Sequence, residues 1–206
     1  MTETFRAALL LSMPQLQDPN FARTVVLLCE YGPEGAFGLV LNRPTEFPAT
    51  SMVRLDPPVV SGNTMPLCIG GPVEPERGWI LLSEEPNATE FKMVRDGLYL
   101  STSVGLLREV LETTPAPRAR VLAGYAGWGP GQLDEELAQS AWLLADIDLD
   151  IAALPPRLDD LVTAAQCRRH GPSDGALGTD DENAHHWFSS CSGFNGFSRA
   201  NTDSGS

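Results

Sequence analysis

An α+β domain is the fold that this sequence predicts, and three observations predict it. Short apolar runs of strand length recur through the first 150 residues, two of them flank a Gly- and Pro-rich turn, and only a few segments carry apolar residues at helical spacing. A chain of 206 residues is long enough for one domain with an appendage. At that size the core folds without disulfides or metal.

Residues 6–12 read as a buried strand, ended by Met13-Pro14. Leu16 to Asn20 is turn chemistry, because Pro19 fixes φ while Asp18 and Asn20 can bond their own backbone. Residues 24–30 are β-branched and apolar, which suits a strand buried on both faces. Gly32-Pro33-Glu34-Gly35 then turns the chain into a strand over 36–42, giving a hairpin. Residues 43–66 hold five prolines and little periodicity, so a short helix and a long loop are expected there. Strands follow at 67–69 and 79–82, flanking Gly70-Gly71-Pro72, and at 98–102. Ser103 is a predicted N-cap for a helix with Leu106, Leu107, Val110 and Leu111 on one face, stopping before Pro115. Residues 119–126 are a strand, 127–131 a turn, and 132–142 a helix with Leu133, Leu137 and Ala141 inward. Residues 146–151 alternate as a half-buried strand, and Pro155-Pro156 opens a last helix. After Gln166 the composition turns to Gly, Ser, Asn and Asp, so the segment 167–206 reads as a disordered tail, dispensable for folding.

The composition excludes several classes of function. Hydrophobic residues make up 42% and charged residues 20%, which is globular rather than disordered composition. The net charge of −13 repels phosphate backbones, and the arginines are scattered, so no direct nucleic-acid partner is expected. No window approaches a membrane span, and the apolar run 7–11 is too short for a signal peptide. With four dispersed cysteines and no export signal, a reducing cytoplasm is the expected setting.

The histidines decide much of the chemistry. His170, His185 and His186 all lie beyond the predicted core, so neither a Ser-His-Asp or Cys-His triad nor a His-based metal site can be built inside it. Carboxylates, Tyr, Arg and the single Lys92 remain for acid–base work. The glycines from Gly124 to Gly131 lie between a strand and a helix, where a phosphate loop would lie. They match neither nucleotide pattern, and Asp134, Glu135 and Glu136 fill the first helical turn, so a tight structural turn is the better reading. Asp146, Asp148 and Asp150 begin like a calcium loop but lack its Gly and Glu, and fit a strand with its acids in water. Glu84-Glu85 and Glu74-x-Glu76 could supply a carboxylate pair, although adjacent acids in Pro-rich loops are ordinarily a solvated surface. Cys167, His170, His185 or His186, and Cys191 form a ligand set chemically suited to tetrahedral zinc, at a spacing that matches no zinc finger; an incidental set in a disordered tail is the plainer reading. No cofactor is expected.

Four stretches carry a family resemblance. They are Met13-Pro14-x-Leu16-x-Asp18-Pro19-x-Phe21 leading to residues 24–29; Gly35-Ala36-Phe37-Gly38-Leu39-Val40-Leu41-Asn42-Arg43-Pro44; Gly70-Gly71-Pro72-Val73 with Arg77-Gly78-Trp79; and Gly124-Tyr125-Ala126-Gly127-Trp128 with Gly131-Gln132-Leu133, Glu136-Leu137 and Ala141-Trp142. In that order, over residues 5–155, the chain resembles the YqgE/AlgH family of bacterial proteins. The resemblance implies a bifurcated, mostly antiparallel sheet, part of it rolled into a small closed barrel, surrounded by helices. It implies no reaction, catalytic residue or cofactor. One branch of the family has a name that links it to alginate regulation. The chain departs from the family after residue 155, where its last predicted helix lacks a Trp and the Cys/His/Ser-rich tail is unlike other members.

Two groups of residues stand out as binding candidates. Asp18 and Arg23 flank the first turn, and Asn42-Arg43 ends the strand that pairs beside it, so the four are predicted to meet as a polar site or as a turn locked by hydrogen bonds and an ion pair. Trp128, on a Gly-flanked turn at the head of the helix that begins with Gln132, is predicted to be partly exposed and to line a recognition surface or plug the core. The missing core histidine and nucleotide motif point to a non-enzymatic protein that binds a small molecule or a protein partner, with a regulatory role. The alternative is an enzyme using carboxylate or Arg chemistry in a pocket where the motif loops meet.

Overall fold

The computed structural model describes residues 7–147. In chain order the elements are β1 (Ala8–Ser12), β2 (Val25–Gly32), β3 (Gly35–Val40), β4 (Pro44–Pro48), α1 (Ala49–Met52), β5 (Pro66–Ile69), β6 (Val73–Leu82), β7 (Lys92–Arg95), β8 (Leu98–Ser101), α2 (Val104–Glu112), β9 (Ala119–Trp128), α3 (Gln132–Ala138) and β10 (Trp142–Ala145). This is an α+β fold with one mostly antiparallel ten-stranded sheet and few helices.

The sheet branches at β9. The main path runs β10-β1-β2-β3-β9-β6-β8-β7, and β5, with β4 on its outer side, also pairs with β9. Residues Ala126 to Trp128 of β9 pair antiparallel with β3, while Val121 to Ala123 pair in parallel with β5. Between these two contacts Val40 N donates to Gly70 O and Gly70 N to Ala123 O, both within hydrogen-bond distance at 2.8 and 2.7 Å. The backbones come so close that only glycine fits. A Cβ on Gly70 would lie 2.4 Å from Gly124 O, and one on Gly71 would lie 2.1 Å from the carbonyl carbon of Tyr125.

The expected closed barrel does not form. The ends of the strand path, β10 and β7, are not joined by a ladder, because β9 divides its partners between two limbs and the sheet opens instead of curling shut. Across this seam Arg95 Nη1 donates to Ile147 O at 3.0 Å. The helices also do not surround the sheet. Among the described residues α1 and α2 cover one outer face and α3 another.

Alternation along the strands sorts the core into layers. Leu9, Leu11, Val25, Leu27, Leu81, Leu98, Leu100 and Leu122 fill the interior shared by both limbs. Their neighbours point outward: Leu10, Val26 and Leu28 pack toward α3, and Ile80 and Val121 toward α2. The predicted face of α2 is the buried one, since Leu106, Leu107, Val110 and Leu111 are all inside. Ser103 makes no side-chain cap. The far end of that helix is held by a residue without a sequence signal, Asn63, whose amide donates to Val110 O and Thr113 O at 2.9 and 3.0 Å.

Several boundaries differ from the sequence reading; the strand expected over 79–82 begins at Val73, for example. The Pro-rich segment contains β4, an edge strand, as well as the expected short helix. β7 is a polar edge strand absent from that reading. β9 continues through Trp128, where a turn was expected. The helix expected over 132–142 ends at Ala138; Ser140, at φ 57°, breaks it, and Trp142 starts β10. The half-buried strand expected over 146–151 begins with Asp146 and Ile147, which are irregular, and its other residues lie outside the described ones, as do the Pro155-Pro156 helix, the 167–206 tail and the zinc candidates Cys167, His170, His186 and Cys191. No helix among the described residues is long and apolar enough to cross a membrane.

Candidate functional site

The first candidate group forms a locked turn. Asp18 Oδ1 accepts from Asn20 N at 2.7 Å, and Asp18 O accepts from both Phe21 N and Ala22 N. Arg43 Nη2 donates to Pro19 O at 2.8 Å and Ala22 O at 3.2 Å. Asn42 is 1% exposed; its Oδ1 accepts from Val25 N at 2.9 Å and its Nδ2 donates to Arg23 O at 3.0 Å. Arg23 itself sits at φ 59°, a left-handed backbone that the two asparagine bonds hold. The sequence brings the four together as expected, but through backbone carbonyls and amides. Among the described residues the ion pairs are Arg77–Glu74, Lys92–Glu30 and Arg108–Glu112, and none joins Asp18 to an arginine. The dent beside Arg43 and Asn20 has a volume of about 40 Å³, room for little more than one water.

The second group lies in the core. Trp128 is buried at 6% exposure, against the expectation of partial exposure, because β9 runs on through it and drives the ring beneath α3. It stacks on Phe21 with centroids 6.2 Å apart and meets Trp142 edge-on at 6.0 Å. A residue that the sequence reading placed only as a first-turn acid and within the family motif organises this cluster. Glu136 Oε2 accepts from both indoles, Trp128 Nε1 at 2.9 Å and Trp142 Nε1 at 2.7 Å. Gln132 accepts from Gly129 N and donates to Glu136 Oε1, so it closes the turn into α3. Asp134 in the first turn of α3 accepts from Tyr31 Oη, and that bond is the main reason the Tyr31 hydroxyl is pushed above its ordinary pKa.

Neither group lines a wider cleft on the other face of the β2–β3 hairpin. That cleft, about 640 Å³, is framed by Glu30, Phe37, Arg77, Trp79, Phe91, Lys92 and Tyr125, with Glu90, Leu100 and Thr102 completing it. Its size is that of a small-molecule site. Local structure explains each contribution. The β2–β3 ladder slips between Leu28 and Glu30, a bulge that puts Cys29 and Glu30 on the same face: Cys29 goes into the core and Glu30 to the cleft. Burial pushes the Cys29 thiol far up. Phe37 pairs with Gly127, whose missing side chain leaves room for the Tyr125 ring 3.3 Å from where a Cβ would stand. Phe37, Trp79 and Tyr125 then pack together, with centroids 4.9, 5.3 and 6.1 Å apart. The sequence signal for this site was present in the aromatic positions of three motif stretches.

Charges ring the aromatic floor. Lys92 Nζ pairs with Glu30 at 2.5 Å. Arg77 pairs with Glu74 at 3.1 Å and lays its guanidinium 4.8 Å from the Trp79 ring centre. Tyr125 Oη donates to Glu74 at 3.3 Å; desolvation first, and then the Glu74 charge and this bond, raise its pKa above the ordinary value. No group of three or more His, Cys, Asp or Glu side chains able to hold a metal occurs among the described residues.

The AlgH-like family model matches residues 9–166, which takes in every element above except the first residue of β1. The chain belongs to the AlgH-like family. Curated relatives agree: a UPF0301 protein from Ruegeria pomeroyi is 37% identical over 147 residues, covering 69% of this chain and 80% of the relative. A UPF0301 protein from Methylococcus capsulatus is 41% identical over 143 residues, covering 68% and 76%. This AlgH-like chain also superposes on the solution structure of the AlgH protein from Pseudomonas aeruginosa with a TM-score of 0.69 at 30% identity, covering 86% of this chain and all of that one. A crystal structure from Corynebacterium diphtheriae, at 20% identity and a TM-score of 0.62, shares the fold.

Proposed function

We propose that this AlgH-like chain is a non-enzymatic small-molecule-binding protein whose ligand occupies the cleft over Trp79, and that occupancy serves a regulatory role. The observation that supports this is the cleft itself: three aromatic rings packed into one floor, with charged groups at the rim. Aromatic walls supply contact area at low entropic cost, and a few polar groups set orientation. Binding is favoured over catalysis because the cleft's cations and its tyrosine hydroxyl are engaged with carboxylates, which leaves Glu90 alone outside these pairs. Lys92 is held by Glu30, Arg77 by Glu74, and the Tyr125 hydroxyl donates a hydrogen bond to Glu74.

The test is a panel of neutral, anionic and cationic small molecules screened by melting temperature and Trp fluorescence, on the native chain and on Trp79→Phe. A ligand at one hundred times its Kd stabilises the native state by about 2.7 kcal/mol. For a chain of this size that raises the melting temperature by about 5–10 °C. The expected result is at least one compound class that shifts the native protein saturably and leaves Trp79→Phe unshifted. A panel in which no class does so overturns the proposal.

A further inference from the structure

We infer that the cleft selects a small organic cation, an alkylated or aromatic ammonium, and that Arg77 is the protein's own occupant of that cation's seat. This rests on the ligand-binding reading above and names its ligand class.

The seat is observed directly. The Arg77 guanidinium lies 4.8 Å from the centre of the Trp79 ring, within the range over which an aromatic face attracts a cation. Phe37 and Tyr125 pack around the same indole, so two further ring quadrupoles border it. Such a grouping of rings is the chemistry that recognises quaternary ammonium.

The charge balance points the same way. Both cations of the rim are already neutralised, Lys92 by Glu30 and Arg77 by Glu74. Glu90 also lines the cleft, and among the described residues its carboxylate enters no ion pair. Three carboxylates, Glu30, Glu74 and Glu90, thus stand against two cations, and the unmatched charge is negative. The whole chain carries −13, and that field concentrates cations at its surface.

Arg77 is placed to yield. The β6–β9 ladder breaks between Val73 and Gly78, so residues 74–77 stand opposite Gly124 alone and arch off the sheet. All four residues are exposed, and Glu74 holds a left-handed backbone at φ 46°. An exposed cation–π contact with an exposed ion pair is a weak hold. A ligand cation therefore exchanges for Arg77 while the ladder on either side stays intact.

Three probes of one shape isolate the charge: choline, its neutral isostere 3,3-dimethylbutan-1-ol, and the anion 3,3-dimethylbutanoate, titrated at constant ionic strength with Trp79→Phe as the reference. The expected order is choline tighter than the alcohol by about tenfold or more, with the anion weakest. Arg77→Ala, which empties the seat, should tighten choline by about two- to fivefold. Glu90→Gln should weaken choline and leave the alcohol unchanged. Melting temperatures of both variants establish that they are folded. Equal or tighter binding of the alcohol or the anion overturns the cation assignment while the cleft remains a binding site. Weaker choline binding in Arg77→Ala overturns Arg77 as the occupant. Failure of all three probes overturns the cation assignment, and the broader panel then judges the cleft on its own.

Discussion

Asn42→Ala removes one amide and leaves two backbone groups without partners. Val25 is fully buried, so its N–H, which now donates to Asn42 Oδ1 at 2.9 Å, has no water to turn to. Arg23 O loses the Asn42 Nδ2 donor at 3.0 Å, although Arg23 is exposed and its carbonyl recovers some solvent. A buried unsatisfied group costs about 1–3 kcal/mol, so the first loss lies near the top of that range and the second near the bottom, about 4 kcal/mol together. For a chain of this size that corresponds to a fall in melting temperature of about 8–16 °C. Urea unfolding followed by circular dichroism measures it, and an unchanged slope keeps the comparison two-state. Asn42→Asp sharpens the test. Its carboxylate still accepts from Val25 N but faces the Arg23 carbonyl in a buried site, so its folded-state pKa is raised above the ordinary value of about 3.9. The stability of this variant is therefore fullest below that ordinary value and is lost as pH rises through the folded-state pKa, measured against Asn42→Ala at each pH. A loss below about 1 kcal/mol in Asn42→Ala, or an Asn42→Asp stability flat with pH, would refute the bridge. Neither variant should alter ligand titrations at Trp79.

Gly71→Ala places a Cβ 2.1 Å from the Tyr125 carbonyl carbon at a φ of +153°, and the expected outcome is loss of soluble folded protein; a native-like melting curve would contradict the close crossing. Glu136→Gln leaves one oxygen and one NH2 group for three donors, so the variant should lose about 1–3 kcal/mol, with a shifted indole N–H resonance for Trp128 or Trp142 by NMR. Glu74→Gln should lower the pKa of Tyr125 only partway, because desolvation is the larger cause of its rise; a phenolate titration unchanged from the native one would mean the two side chains do not meet.

The strands legible in the sequence were those whose apolar residues outnumber everything else. Thr24 to Cys29 could hardly be anything but a buried strand, and Gly32 and Gly35 bracket a two-residue hairpin loop. β4 was hidden by its own prolines: Pro44 and Pro48 bracket it, and a residue without an N–H suits an edge, where only one side needs pairing. β7 was hidden because Lys92 and Arg95 read as surface and Met93 is exposed. The spacing of Leu133, Leu137 and Ala141 misled only over length, since all three do pack into one cluster but Ala141 reaches it from beyond the helix. The turn around Asp18 was legible because its partners are near in sequence or carried by the adjacent hairpin. The cleft was not, since its walls come from β2, β3, β6, β7, β8 and β9, and which aromatic faces which is decided by register. Glu136 reads as one more surface acid in a helix until β9 and β10 deliver two indoles to it.

The branch at β9 also orders events during synthesis. A ribosome that has released the first 118 residues has made β1 through β8, yet it has not made the strand to which β3, β5 and β6 all bond. Until then those three edges, with Leu39, Leu67 and Ile80 among them, have no template in the chain, and emerging apolar edges are what holdase chaperones recognise and what other nascent chains stick to. Ten residues beginning at Ala119 supply the partner for all three, so none of these edges can be paired as in the native sheet before Trp128 has been translated, and β1 waits longer still for β10.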